Sequence, residues 1–215
     1  MTPDGGITLT ARVVIIHHLE RRDMKKMQWC VVWASLGLLP LLLAPTAAQA
    51  SDPPAPGSFR AELDIQINDL EKKLVSLAEA VPAEKYAWRP GEGVRSNSEV
   101  FAHIAQANYM FPSLLGVKVP EGIGNDLEKK LTRKRDVVPA LKQSFLHLRS
   151  AIGGLTDADL EKPTKLFQRE SSVMGAYYLA TGHLHEHLGQ AIAYARMNGV
   201  VPPWTAEREA KQQQD

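Results

Sequence analysis

The sequence predicts an all-α protein, a four-helix bundle behind an N-terminal secretory segment, and three observations carry that prediction. Apolar residues recur at three- and four-residue steps in four separate stretches, the period of an amphipathic helix. No stretch alternates at the two-residue period of a half-buried strand, and there is neither an internal repeat nor a hairpin dipeptide. Long links bearing Pro and Gly separate the four stretches, and bundles are built from helices joined in this way.

Residues 1–50 read as an upstream extension followed by a secretory signal. Met24-Lys25-Lys26-Met27 supplies the basic region, Trp29 to Ala44 the apolar region, and Ala48-Gln49-Ala50 before Ser51 the cleavage site. The apolar run is short and broken by Pro40, so no stable membrane span is expected in the mature chain. An uncleaved anchor is the alternative. Cys30 stands at the start of the apolar run, which disfavours a lipoprotein. Residues 1–23 mix Arg21 and Arg22 with Asp4, Glu20 and Asp23 and fit poorly in front of a signal, as an unused upstream start would. The mature chain, residues 51–215, is expected in the periplasm or outside the cell, where its lack of cysteine suits an oxidising compartment.

Residues 51–58 form a Pro-rich linker, 59–204 the bundle and 205–215 a polar tail. The first helix carries Phe59, Leu63, Ile67, Leu70, Leu74 and Leu77 and ends at Pro82. A connection follows through Trp88-Arg89-Pro90-Gly91-Glu92-Gly93 that must still bury Tyr86 and Trp88. Ser96 to Ser98 offer caps and Glu99 a favourable first-turn charge for the second helix, with Val100, Phe101, Ile104, Ala105, Asn108 and Phe111. Between Gly116 and Arg135 the chain is a solvated loop with a short helical turn, or else a mobile cover whose basic side chains could meet an anion. Asp136 is expected to cap the third helix, along Val138, Leu141, Phe145, Leu148 and Ile152, with His147 in solvent and Gly153-Gly154 as its stop. Thr156 to Ser171 reads as another long connection. Ser171 or Ser172 then opens a fourth helix of about seven turns, closed by Asn198-Gly199.

The length of 215 residues and net charge of +1 fit one compact domain plus an appendage and give no reason to expect a nucleic-acid partner. A single cysteine, Cys30, excludes a disulfide framework, a Cys-based zinc site and a cysteine nucleophile in the mature chain. Any metal must be held by nitrogen and oxygen ligands.

The stretch Thr181-Gly182-His183-Leu184-His185-Glu186-His187-Leu188-Gly189-Gln190 carries the chemistry. On a helix, His183 and His187 lie one turn apart on one side, so their imidazoles can converge on one ion, while His185 points away. The same stripe continues through Gln190 and Tyr194, a polar lane where a core helix would show Leu or Val. Two half-exposed histidines near a helix end would give the same pattern, so a third ligand elsewhere is needed to decide. His103, beside Val100, Ala107 and Met110, reads on its own as a hydrogen-bonded core histidine or as that ligand. Gln190 could orient a ligand or water and Asn108 could line a pocket, and ordinary interhelical hydrogen bonding would explain both equally. Glu186 is about 100° round the helix from His187 and is no general base.

These residues together resemble the DinB family of four-helix bundles. The resemblance rests on Trp88-Arg89-Pro90, on Phe101-Ala102-His103-Ile104-Ala105, and on His183-x-x-x-His187-Leu188-Gly189-Gln190 with Ile192, Tyr194, Arg196 and Asn198-Gly199, and it runs from about Phe59 to Trp204. It implies a divalent-metal site made by His103, His183 and His187. Leu188 departs from the pattern, standing where many relatives carry an arginine. Zinc suits three imidazoles best, with nickel, iron and manganese as alternatives. Three ligands leave open positions, implying a reactive site, and the resemblance points to a metal-dependent hydrolase or a transferase of low-molecular-weight thiols acting on a small molecule. Thiol transfer fits an exported protein less well. A non-enzymatic module that binds metal or pairs as a homodimer is the competing reading, and DNA binding finds no basic helix to support it.

Overall fold

Helix α1 runs over Phe59–Ala80, in a computed structural model that describes residues 53–214. The upstream extension, the signal-like segment and its cleavage site lie outside the described residues. Ser58 Oγ accepts from Ala61 N–H at 3.3 Å to cap α1, and Pro82, with no N–H of its own, denies it another turn. Its stripe of Leu63, Ile67, Leu70, Leu74 and Leu77 is buried throughout.

The connection to α2 (Asn97–Ser113) is pinned at several points. Ser98 N–H donates to Tyr86 O and Asn97 N–H to Trp88 O, while Asn97 Nδ2 donates to Lys85 O at 2.9 Å. Tyr86 is buried against Phe101, with ring centroids 6.2 Å apart. Trp88 is partly buried, its ring edge-on to Tyr194 at 5.5 Å. A capping box starts α2: Glu99 N–H donates to Ser96 Oγ at 3.3 Å and Ser96 N–H to Glu99 Oε2 at 2.7 Å. Such a cap stabilises a helix by about 1 kcal/mol.

A four-residue helix, α3 (Leu127–Lys130), interrupts the link to α4 (Lys134–Gly153). Three expectations for α4 need correction. Arg133, not Asp136, holds the N-cap position; Asp136 sits in the first turn, where its carboxylate accepts from Arg133 Nε at 2.7 Å. The buried stripe accordingly begins at Val137, with Val138 only partly buried. His147, expected in solvent, is half-buried, its ring 5.0 Å from that of Tyr109.

The link from α4 also differs from its sequence reading. After the short α5 (Asp157–Leu160), β1 (Pro163–Leu166) and β2 (Arg169–Ser172) form an antiparallel hairpin pairing Pro163 with Ser172 and Leu166 with Arg169. The protein is thus mostly helical and not purely so. Phe167 and Gln168 make the turn with φ of 48° and 67°, the double left-handed geometry of a type I′ turn that Asn-Gly normally signals. Since neither residue is glycine or asparagine, the sequence hides the turn.

Ser172 caps α6 (Val173–Met197), its Oγ accepting from Gly175 N–H at 3.1 Å. Gly199, at φ 76°, follows in the left-handed conformation that commonly ends helices. Past 204 the chain is helical: α7 (Pro203–Gln212) packs on α1 with Thr205 buried, and the described residues after it are exposed.

Helices α1 and α2 each pack against both α4 and α6, so the order around the bundle is α1, α4, α2, α6. Helices α1 and α2 are therefore diagonal, as are α4 and α6. Their links must reach across an end of the bundle, and this explains their length. The α2–α6 neighbourhood sets His103 against the α6 histidines. No helix among the described residues is long and apolar enough to cross a membrane.

Candidate metal site

Helix periodicity places His183 and His187 on one side of α6, and the bundle order brings His103 of α2 to meet them. One ring nitrogen of each lies within 4.8 Å of the other two. Ring centroids are 4.4 Å apart for His183 and His187, 4.6 Å for His103 and His187, and 5.0 Å for His103 and His183. His187 is buried and the other two are half-buried. Exposed His185 points elsewhere, its Nε2 3.3 Å from Gln66 Oε1.

The hydrogen bonds around the rings set which nitrogens are free. His103 Nδ1 lies 2.6 Å from Glu128 Oε1. A carboxylate only accepts, so Nδ1 carries the proton and Nε2 keeps its lone pair. Gln190 does the same for His187: its Oε1 accepts from Nδ1–H at 2.8 Å, and its Nε2 donates to Tyr194 Oη at 3.1 Å. His183 has no such anchor. Its Nδ1 is buried without a hydrogen-bond partner, its Nε2 stands 3.0 Å from His103 Nε2, and the Phe111 ring lies 5.6 Å away, so packing orients it.

Glu128 is itself held by Arg95, whose Nε donates to Oε2 at 2.8 Å and whose Nη2 donates to Oε1 at 3.3 Å. Arg95 Nη2 also comes within 3.2 Å of His103 Nδ1. Both atoms bear protons bound to the same carboxylate, so this approach is a consequence of sharing Glu128 and not a third hydrogen bond.

The surroundings disfavour a charged imidazole at His103 and His183. Burial, followed by the neighbouring His187 and His103, pushes the His183 imidazole down to about 4. Burial also lowers His103, outweighing the opposing pull of Glu128. At Glu128, desolvation alone would raise the carboxyl, but hydrogen bonds from Arg95 and His103 prevail and hold it below its ordinary value. Unprotonated imidazoles beside an ionised carboxylate are the state a cation requires.

The donor set fits a divalent ion. Nitrogens bound tetrahedrally at ~2.0–2.1 Å from zinc stand about 3.3 Å apart, close to the 3.0 Å between His103 Nε2 and His183 Nε2. A carboxylate or amide oxygen behind a ligating imidazole is the usual supporting arrangement. Beside the cluster opens a cleft of about 580 Å³ lined by Arg89, Gly93, Val94, Arg95, Glu99, Glu128 and Gln190.

Of the residues singled out in the sequence, the structure brings His103, His183, His187 and Gln190 together. Asn108 goes elsewhere. Buried at 1% exposure, it donates from Nδ2 to Ser144 Oγ at 3.0 Å and so ties α2 to α4. Glu186 is exposed. Sequence reasoning missed Glu128 and Arg95, which lie in a mixed charge run and in a Gly-rich connection where no period marks them.

A helical bundle whose facing helices turn three imidazoles toward one point has the architecture of a bundle-core metal site. The chain belongs to the DinB superfamily, whose family model matches residues 66–191. Two solved structures share the fold. A DinB-like protein from Bacillus cereus is 18% identical with a TM-score of 0.57, the match covering 67% of this chain and 93% of that one. A DinB-like protein from Bacillus subtilis is 20% identical with a TM-score of 0.53, covering 65% of this chain and 93% of the other. No curated protein sequence matches the chain.

Proposed function

We propose that this chain is an exported protein that binds one divalent metal ion, zinc in the first instance, through His103, His183 and His187, and uses it to hydrolyse a small molecule. The observation that carries the metal reading is the pair of Nδ1 anchors. Glu128 and Gln190 leave the lone pairs of two buried or half-buried imidazoles free at Nε2, and the third ring closes on them. An ion held by His103, His183 and His187 would supply Lewis acidity to a bound substrate or water.

The chain's own residues would then divide the work. His103, His183 and His187 present nitrogens, Glu128 and Gln190 hold two of the rings in place, and Phe111 covers one side of His183. The cleft is the place for a polar substrate, with Arg89 and Arg95 in its wall. Export is supported by the three-part signal before Ser51 and by the absence of cysteine after Cys30.

Metal analysis of untagged protein, combined with turnover of a panel of esters, amides and thiol conjugates, tests this reading. About one zinc per chain with ester or amide hydrolysis is the expected result. Stoichiometric metal without turnover would make the protein a binding module, and turnover confined to thiol conjugates would make it a transferase. Cell fractionation with N-terminal sequencing should find a mature chain beginning at Ser51; an intact membrane-bound chain would replace export with anchoring.

A further inference from the structure

We propose that Glu128, carried by α3, is the positioning residue of the histidine cluster: with Arg95 it holds His103 as the Nδ1–H tautomer and turns the Nε2 lone pair toward His183 and His187. For its effect on metal affinity this rests on the metal-binding reading above.

Helix α3 is a single turn, yet it is docked on the bundle. Leu127 is 6% exposed and belongs to the core, and its N–H donates to Gln106 Oε1 at 3.1 Å. That anchoring carries the next residue, Glu128, to within 2.6 Å of His103 Nδ1. Arg95 reaches the same carboxylate from the α1–α2 connection through two donors. Each Glu128 oxygen therefore has a defined donor, and the carboxylate can neither rotate freely nor lend a proton to the ring. The two connections clamp one imidazole from outside the bundle, while Gln190 holds His187 from within α6. His187 has its own anchor in Gln190, so losing Glu128 should be felt at His103 and not at His187.

Long-range ¹H–¹⁵N correlation spectra of the metal-free full-length chain report the tautomer of each histidine. In the wild type, His103 should be protonated at Nδ1. In Glu128→Ala that signature should be lost while that of His187 persists, and the isosteric Glu128→Gln, which keeps an acceptor and nearly the same shape, should fall between them. Zinc titration against a competing chelator should show affinity about ten- to hundredfold weaker in Glu128→Ala and an intermediate loss in Glu128→Gln. A purely structural role would disturb His187 as much as His103. Nε2 protonation of His103 in the wild type, or unchanged tautomer in both variants, overturns the proposal. Equal zinc affinity of wild type and variants overturns it and leaves the metal site standing. If the wild type takes up no zinc, the metal reading fails and the spectra alone decide the role of Glu128.

Discussion

Replacing Tyr86 by phenylalanine removes one oxygen atom, and the structure specifies what that atom does. In helix α1 the carbonyl of Ala78 would ordinarily accept from the N–H of residue 82, but residue 82 is proline and has none. Tyr86 Oη fills the gap, donating to Ala78 O at 2.6 Å. Both residues are buried, at 1% and 0% exposure, so no water can substitute. Burial, and secondarily Glu79, raises the phenol well above the usual tyrosine range, which keeps it a donor at alkaline pH. Tyr86→Phe keeps the ring against Phe101 and opens no cavity; its whole cost is one buried carbonyl left unpaired, about 1–3 kcal/mol. For a domain of this size each kcal/mol lowers Tm by roughly 2–4 °C, so a fall of about 2–12 °C is expected. Urea unfolding should show a lower midpoint with an unchanged slope, and zinc binding should be unaffected. A loss below ~0.5 kcal/mol would refute the reasoning, because the carbonyl would then have another partner.

Other consequences can be checked with the same measurements. Saturating zinc, at about a hundredfold excess over Kd, should stabilise the wild type by ~2.7 kcal/mol, whereas His187→Ala should keep its helical circular dichroism and show no zinc-dependent shift in Tm. Asn108→Ala breaks the buried bond to Ser144 and should cost about 1–3 kcal/mol without changing metal content, which would separate the α2–α4 interface from the site. Burial depresses His147, so the folded state disfavours its protonation. Metal-free stability should hold above the unfolded histidine value, about 6.5, and decline as pH falls below it toward the lower folded value. His103 and His183 act in the same sense; His147→Gln should therefore make the decline between pH 7 and 5 shallower without abolishing it, and an unchanged slope would remove His147 from the explanation.

Much of the scaffold was legible because helices report themselves locally. Leu63 to Leu77, the Ser96 cap with Glu99, and the Asn198-Gly199 stop each depend on residues a turn or less apart, so spacing alone reveals them. The hairpin escaped because its strands are short and its turn uses Phe167 and Gln168 in place of the expected dipeptide. Helix α7 escaped because a polar helix packed by few residues looks like a solvated tail.

The same division runs through the site. His183, His187 and Gln190 share one side of one helix, and their juxtaposition follows from 3.6 residues per turn, whatever the rest of the chain does. His103 became a candidate only through resemblance, since nothing in its own neighbourhood distinguishes a ligand from a core histidine. Its meeting with His183 depends on α2 lying beside α6 in the bundle. Glu128 and Arg95 are further removed: Glu128 arrives on a link whose path is set by the burial of Leu127, and Arg95 on the link between the diagonal helices α1 and α2, where Trp88 is partly buried. Local periodicity determined which faces were apolar and which imidazoles were paired. Only the closure of links across the bundle decided which third imidazole, and which carboxylate behind it, would meet that pair, because contacts between distant segments depend on loop paths that no period encodes.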